Sequence, residues 1–313
     1  VEKKLFVGVD IGGTKVAAGL VNARGEISSH QRVPMVSNSS AEAGLRAVLS
    51  AIAEVLPSGA SELSGIGICA PGPLDPKTGI ILNPPNVPCW RDFPLADAVR
   101  KIYPVQIKVD NDANAAALAE ARWGAGRGFS NVFYATIGTG IGTGIIFDGK
   151  IYHGRTGSAG EGGHVSIDYR GPICACGKPG CIEILASGTS IARRAREKTA
   201  AGEKSSMLEL AGGDPGALTG EIVARAAAAG DSVAKKLLAE TAEMVALWLS
   251  NMVDLLDPDV IVIGGGAAAL LDFAILEERV PEFSVNPRSS EVAIVHARYG
   301  ADSGIAGGAA LCA

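Results

Sequence analysis

Sulfur is scarce in this chain of 313 residues, which has six cysteines and four methionines, and its histidines number only four. No stretch of about 18 apolar residues occurs anywhere, and the N-terminal VEKKLFVGVD shows no apolar run ending in a small-residue cleavage site. Neither a signal peptide nor a membrane span is therefore expected. Positive charge is not in excess either. Net charge is −5, with no basic stripe or arginine-rich arm, which argues against nucleic acid as a partner. The 41 glycines lack the period of a collagen. They cluster in short turns, where bare backbone can approach a neighbour closely. A cytoplasmic location follows as the expectation. Reduced thiols there favour metal binding over disulfides where cysteines cluster.

Core-forming material is ample. Hydrophobic residues make up 47% and charged residues 19%, and the length favours two domains over one. Strands are expected at Leu5 to Asp10, Val16 to Val21 and Glu26 to Val33, joined by the tight turn Gly12-Gly13-Thr14-Lys15 and by Asn22 to Gly25. Residues 41–56 carry helical spacing, with Leu45, Val48, Leu49, Ile52 and Val55 on one face. Ile66 to Ala70 reads as a buried strand stopped by Pro71-Gly72-Pro73. Val105, Ile107 and Val109 alternate as in a strand, and the alanine-rich run 113–121 is helical. Val132 to Ile137 is the next strand, 138–144 a turn, Ile145 to Phe147 a return, and Asp148-Gly149 a hairpin signal. The second half is mostly helical, roughly 187–200, 219–229 and 231–256. A buried strand at 260–263 then leads into Gly264-Gly265-Gly266 and a further helix. Strand, glycine turn, strand, tight turn, strand thus occurs twice, near 5–33 and near 132–152. This pattern predicts a duplicated βββαβα unit with a cleft between the halves.

The two glycine turns, DIGGTK (10–15) and GTGIGTG (138–144), each join two strands. Neither is a P-loop, because no Gly-Lys-Ser/Thr follows four variable residues. Gly140, Gly142 and Ile145 approximate a dinucleotide fingerprint with its last glycine missing, and the segment opens a strand, not a helix. What remains is a pair of hairpin turns whose N–H groups and threonine hydroxyls can hold anionic oxygens. With Asp10 to hold a metal ion, they fit a triphosphate. Gly264 to Gly266 would let a flat base or ribose lie on bare backbone. Asp110, Asn111 and Asp112 stand at the carboxyl end of a strand, where open α/β sheets place ligands. Helix capping would explain one of them. Three exceed what one cap needs, and a carboxylate at that point can take a proton from a hydroxyl nucleophile.

Residues 161–183 read EGGHVSIDYRGPICACGKPGCIE, with three of the six cysteines within eight positions. His164, Cys174, Cys176 and Cys181 offer one nitrogen and three sulfurs, a complement typical of closed tetrahedral zinc. Glycines 171, 177 and 180 let the chain curl around an ion. The C-x-C-x4-C spacing is not that of a common zinc finger, and a redox pair or three buried thiols are the alternatives. A four-ligand zinc has no place for water and is structural. It would pin the loop that carries Glu161 and Glu183, which can accept hydroxyl protons from a neutral polyhydroxyl substrate such as a sugar. The plainer alternative is that both glutamates are merely solvated. Cys69, Cys89 and Cys312 read as buried or incidental thiols.

These motifs together resemble the ROK family of sugar kinases in the actin-like ATPase superfamily, essentially end to end. CACGKPGCIE (174–183) fits the family's CxCGxxGCxE pattern, and GEGGH (160–164) fits its E-x-G-H element. DIGGTK resembles the first phosphate motif, GTGIGTG the second, IGGG (263–266) the adenosine motif, and VDNDANAAALAE (109–120) the catalytic segment. The resemblance implies an α/β chain of two actin-like (ribonuclease H-like) domains with an interdomain cleft and a zinc loop (164–181) in the second. The domains would be 1–118 plus 300–313, and 119–299. It implies Asp112 as the base that deprotonates a sugar hydroxyl, with Asn111, Glu161, His164 and Glu183 holding the sugar and His164 also a zinc ligand. Asn86 in NPPN and Gly72 in APGP are further implied sugar contacts. Asp10, Gly12, Gly13, Thr14, Lys15, Gly138, Thr139, Gly140, Gly264, Gly265 and Gly266 would hold ATP and Mg2+.

The function this implies is ATP-dependent phosphorylation of a hexose, most simply glucose to glucose 6-phosphate, by a cytoplasmic homodimer. N-acetylglucosamine, N-acetylmannosamine, fructose and allose are alternative substrates within the family, and polyphosphate is an alternative donor. The intact adenosine motif favours ATP. A non-catalytic sugar sensor of the same fold is the second hypothesis, and a zinc hydrolase with an open metal position the third. The helix-turn-helix domain that precedes the fold in the family's repressors is not expected, because the first phosphate strand begins at residue 5.

Overall fold

The computed structural model describes residues 4–56 and 63–313. The reading of the N-terminus as leaderless therefore falls partly on residues outside the description. In chain order the first elements are β1 (Leu5–Ile11), β2 (Lys15–Asn22), β3 (Ile27–Pro34), α1 (Ala41–Val55), β4 (Leu63–Ala70), β5 (Leu74–Asp75), β6 (Ile80–Ile81), α2 (Leu95–Arg100), β7 (Gln106–Asn111) and α3 (Asp112–Trp123). Next come β8 (Val132–Ile137), β9 (Ile141–Phe147), β10 (Lys150–Ile151), α4 (Ile182–Ala186), α5 (Gly188–Ala200), α6 (Met207–Leu210), α7 (Gly220–Ala228) and α8 (Ser232–Leu256). The last are β11 (Val260–Gly264), α9 (Phe273–Phe283), β12 (Ala293–His296) and α10 (Ser303–Cys312). None of the described helices is long and apolar enough to cross a membrane.

Two five-stranded sheets have the orders β3-β2-β1-β4-β7 and β10-β9-β8-β11-β12. The two orders correspond strand for strand, as the repeated sequence pattern predicts. In the first sheet β1, β2 and β3 run antiparallel, while β4 and β7 are parallel to β1. Both sheets are accordingly mixed, and the chain is an α/β fold. Asp148 and Gly149 take φ of 49° and 70°, the positive pair a type I′ hairpin requires, and β9 pairs with β10 across them.

Three details depart from the sequence expectation. The turn in GTGIGTG is confined to 138–140, and β9 begins at Ile141, because Gly142 and Gly144 continue as extended strand. Gly144 has a reason to be bare: a Cβ there would stand 2.6 Å from the Ala117 Cβ and 2.7 Å from the Ala113 carbonyl of α3. After Gly266 the chain makes a short 3-10 turn before α9 starts at Phe273. The edge strand β12, only four residues long, is not expected from the sequence.

The described chain groups into two compact units. One is Val1–Val132 with Gly144–Gly160 and Ala297–Ala313, and the other is Phe133–Thr143 with Glu161–His296. The boundaries expected from sequence differ from this grouping at 119–132, 144–160 and 297–299.

In the first unit, Val48, Ala51 and Ile52 of α1 are fully buried against Val7, Val9, Ile66 and Ile68 of the sheet, with Leu45 and Leu49 at the margin. Ser40 caps the helix by accepting the Ala43 N–H. On the opposite face lies α10, seated on glycines. A Cβ at Gly8 would stand 1.8 Å from the Ile305 carbonyl oxygen, and one at Gly67 1.8 Å from that of Gly308. Gly8 and Gly67 thus serve helix-on-sheet contact rather than a ligand. In the second unit, Trp248 of α8 is fully buried. It stacks edge-on against Phe133 at 5.7 Å and donates from Nε1 to the Gly162 carbonyl at 3.0 Å.

Candidate active site

In the first unit the carboxyl ends of β1 and β7 open onto one cavity of about 550 Å³. Its walls include Asp10, Gly12, Gly13, Thr14, Asn38, Asn86 and Asp112. The turn is closed by the Gly12 N–H donating to the Lys15 carbonyl at 2.9 Å. Gly13 must be bare, because a Cβ would meet the Asn86 carbonyl oxygen at 2.7 Å. NPPN is thereby locked against the first glycine turn, which brings Asn86 to the cavity. Lys15 opens β2 as an exposed side chain outside the cavity wall, near enough to Asp10 to favour its charge. Burial, and next the charge of Asp112, push the Asp10 carboxyl up to about 6, with Lys15 and Arg32 pulling the other way.

The three polar residues at the end of β7 divide the work. Asn111 is the helix cap: its Oδ1 accepts the Ala113 N–H at 3.0 Å and the Asn114 N–H at 3.4 Å. Its amide nitrogen lies beside Gly72, 3.9 Å from where a Cβ would be. Asp110 is buried and structural. Oδ1 accepts the Asn111 N–H at 2.8 Å and Asn114 Nδ2 at 3.3 Å, and Oδ2 lies 2.7 Å from His153 Nε2. That leaves Asp112, exposed in the first turn of α3 and on the cavity wall, with Oδ1 accepting the Ala113 N–H at 2.8 Å. His153 escaped the sequence reading because it lies 43 positions from Asp110 in an unremarkable loop.

In the second unit, Gly138, Thr139 and Gly140 form the turn between β8 and β9, closed by the Gly138 N–H donating to the Gly140 carbonyl at 2.9 Å. Gly264 ends β11 and is buried. Gly265 has φ of 90° and is packed so that a Cβ would fall 2.4 Å from the Ile137 carbonyl oxygen. Gly266 is exposed, with open space where a Cβ would be. The Ala267 N–H donates to the Ile137 carbonyl at 2.8 Å, which fixes this glycine run to the strand that feeds the 138–140 turn.

His164, Cys174, Cys176 and Cys181 come together, with their donor atoms all within 4.8 Å of one another. Cys176 Sγ lies 3.6 Å from Cys181 Sγ, and Cys174 Sγ lies 3.7 Å from His164 Nδ1. A tetrahedral zinc with Zn–S bonds of about 2.3 Å has S···S edges of about 3.8 Å, so donor set and spacing both fit such an ion. A disulfide needs about 2.05 Å and is excluded at these distances. Glu183, in the first turn of α4, places Oε1 3.9 Å from His164 Nδ1 and donates nothing, while its Oε2 accepts the Ile141 N–H at 2.9 Å. Glu161 is exposed and precedes the 3-10 turn that ends in His164. The remaining thiols sit apart from the cluster. Cys69 is buried and donates to the Gly304 carbonyl at 3.1 Å, and burial pushes the Cys312 thiol up to about 11.

Sequence reasoning also passed over Gly188 and Thr189, which bond the glycine turn: Gly188 N–H donates to the Gly138 carbonyl and Thr189 Oγ1 to the Thr139 carbonyl, both at 2.8 Å. The only local signal is SGTS (187–190), readable as a cap for α5, and Ser187 does accept the Ser190 N–H.

Known proteins share this arrangement along almost their full length. A glucokinase of Halalkalibacterium halodurans is 37% identical, with 97% of this chain and 93% of that protein covered. An N-acetylmannosamine kinase of Salmonella typhi is 31% identical over 97% of this chain and 96% of its own. The crystal structure of a ROK family glucokinase from Streptomyces griseus, in complex with glucose and AMPPNP, superposes with a TM-score of 0.78 at 34% identity, covering 98% of each chain. The ROK family model matches residues 6–313. A match that runs from the first strand through the last helix shows that this chain belongs to the ROK family.

Proposed function

We propose that this protein transfers the terminal phosphoryl group of ATP to a hexose hydroxyl, with glucose as the substrate and O6 as the acceptor. The observation that carries the reading is the placing of Asp112. It is the one of three adjacent polar residues left to face the cavity, at the carboxyl end of β7, after Asp110 and Asn111 are committed to structure. Its carboxylate takes the proton of the sugar hydroxyl as that oxygen attacks the terminal phosphorus and the bond to the ADP oxygen breaks. General-base assistance of this kind is worth roughly 10²–10⁴-fold, and positioning and charge neutralisation supply most of the rest. Asn86, the Asn111 amide nitrogen beside Gly72, Glu161, His164 and Glu183 are the groups assigned to sugar hydroxyls. The turns Gly12 to Thr14 and Gly138 to Gly140 hold phosphate oxygens, and Gly264 to Gly266 the adenosine. Asp10, on the cavity wall, is the carboxylate that would stand beside a nucleotide-borne Mg2+, an ion that would supply charge neutralisation of the phosphates. A structural zinc held by His164, Cys174, Cys176 and Cys181 fixes the loop from Glu161 to Glu183. Relatives named glucokinase at 37% identity support glucose. Relatives named N-acetylmannosamine kinase at 31% favour that amino sugar as the second reading. The same reading makes the enzyme cytoplasmic and homodimeric, the second point to be settled by sedimentation.

A coupled ADP-release assay over glucose, N-acetylmannosamine, N-acetylglucosamine, fructose and allose tests the proposal. Glucose-dependent turnover that falls about 10²–10⁴-fold in Asp112→Asn, with little change in the glucose KM, is the expected result. Sugar binding without ADP release would identify a sensor instead.

A further inference from the structure

The 138–140 turn is fastened by two short segments, and both are rooted in the Cys/His cluster. From the segment that ends in His164, the Gly162 N–H donates to Thr143 Oγ1 at 2.9 Å. From the segment that begins at Cys181, Glu183 Oε2 accepts the Ile141 N–H at 2.9 Å, Gly188 N–H donates to the Gly138 carbonyl at 2.8 Å, and Thr189 Oγ1 donates to the Thr139 carbonyl at 2.8 Å. Contact is close as well as bonded. A Cβ at Gly140 would stand 2.5 Å from Glu183 Oε2, and one at Gly188 2.9 Å from the Gly138 carbonyl oxygen. The segments are tied to each other at the cluster, where the Ile182 N–H donates to the Val165 carbonyl at 3.0 Å and Cys181 Sγ lies 3.4 Å from the His164 carbonyl oxygen.

We propose that the ion-filled cluster is the anchor of the 138–140 turn, so that metal occupancy sets nucleotide affinity, and that Thr189 is a positioning residue for that turn. The proposal rests on the reading of 138–140 as a phosphate turn. An array of N–H groups holds phosphate well only if its geometry is set before the ligand arrives. Here that geometry depends on four bonds from outside the turn, each modest alone. Without an ion, only a few weak bonds between these segments hold three thiols and an imidazole at tetrahedral spacing. The roots of both segments then loosen, and the four bonds lose their common register. Glu183 is shared with the sugar contacts proposed above, so Thr189, which is not, isolates the effect.

The test compares Thr189→Val, which removes the donor at nearly constant size, with Thr189→Ser, which keeps it. Steady-state kinetics are run against ATP and glucose, and wild-type amide exchange across 138–144 is followed before and after zinc chelation, without nucleotide. The expected result is an ATP KM raised about fivefold in Thr189→Val with the glucose KM within about twofold, restored by Thr189→Ser. Chelation is expected to speed exchange across 138–144 about tenfold. Parallel rises in both KM values, failure of serine to rescue, or unchanged exchange after metal analysis confirms loss of the ion would each overturn the proposal. Should chelation unfold the chain, the Thr189 pair decides the positioning role, and amide exchange across 138–144 in Cys176→Ala, faster than wild type if the proposal holds and unchanged if it fails, decides the anchoring. Should wild-type protein bind no nucleotide, the phosphate-turn reading fails, and the exchange result alone decides the anchoring.

Discussion

Asp10 and Asp112 face one cavity, and the negative charge of the second raises the affinity of the first for its proton. Burial is the larger cause, and together they push the Asp10 carboxyl up to about 6. The ends of β1 and β7 are neighbours of β4 in a single sheet, which is why two acids about a hundred positions apart share a wall.

Asp10 therefore titrates near the working range. If Asp10 must be ionised beside the Mg–phosphate group, kcat/KM for ATP rises with pH through about 6, and Lys15→Met, which removes a favouring charge, moves that limb upward. Stability runs the opposite way. Asp10 has a raised folded pKa, so its contribution is fully present below the unfolded value of about 3.9 and is lost as pH rises through about 6. Thermal melts of Asp10→Asn should lack that loss and exceed wild type at pH 8. Equal pH dependence in both proteins would refute the assignment.

Metal analysis of purified protein should give one zinc per chain, bound by the four donors that lie within 4.8 Å. Cys176→Ala should lose it and raise the sugar KM at least tenfold, since Glu161 and Glu183 flank the cluster. A wild-type protein without metal would contradict this.

The His153–Asp110 pair makes its own pH signature. The hydrogen bond that His153 donates to Asp110 is the main cause that raises the His153 pKa, with burial opposing it. The pair's stabilisation is present below the unfolded histidine value of about 6.5 and is lost as pH rises through the elevated folded value. His153→Gln should cost roughly 2 kcal/mol at pH 6 and less at pH 9, as read by urea unfolding. A cost that grows with pH would reverse the sign of the argument.

Glu120 is fully buried and accepts three backbone N–H groups: Ala125 on Oε2 at 2.8 Å, and Arg298 and Tyr299 on Oε1 at 2.8 and 3.0 Å. It thereby pins the segment entering α10 to the end of α3. Glu120→Ala should destabilise the fold by at least about 3 kcal/mol, because it orphans all three donors in a buried place. Glu120→Gln, which keeps acceptor capacity on one atom, should cost less. A loss below about 1 kcal/mol for the alanine variant would be inconsistent with that role.

The sequence by itself determined the elements, because their signals are local. Alternation in 5–33 and the 3.6-residue period of 41–56 set strands and helix, and Asp148-Gly149 dictated a hairpin that only positive φ can close. It also set the repeat, now visible as two sheets of one strand order, and the donor set of the Cys/His cluster, since 174–181 is short enough to curl on itself. Tertiary structure alone decided which of Asp110, Asn111 and Asp112 does what. All three have the chemistry of a cap or a base, and the bonds Asp110 makes to Asn111, Asn114 and His153, the last 43 residues away, commit it to burial while Asp112 faces the cavity. It alone showed that Gly8 and Gly67 are bare for α10, and that Thr189 reaches the glycine turn. Those contacts join residues far apart in the chain, where no periodicity or turn rule extends, and their energies depend on atoms that meet only after the sheets have formed.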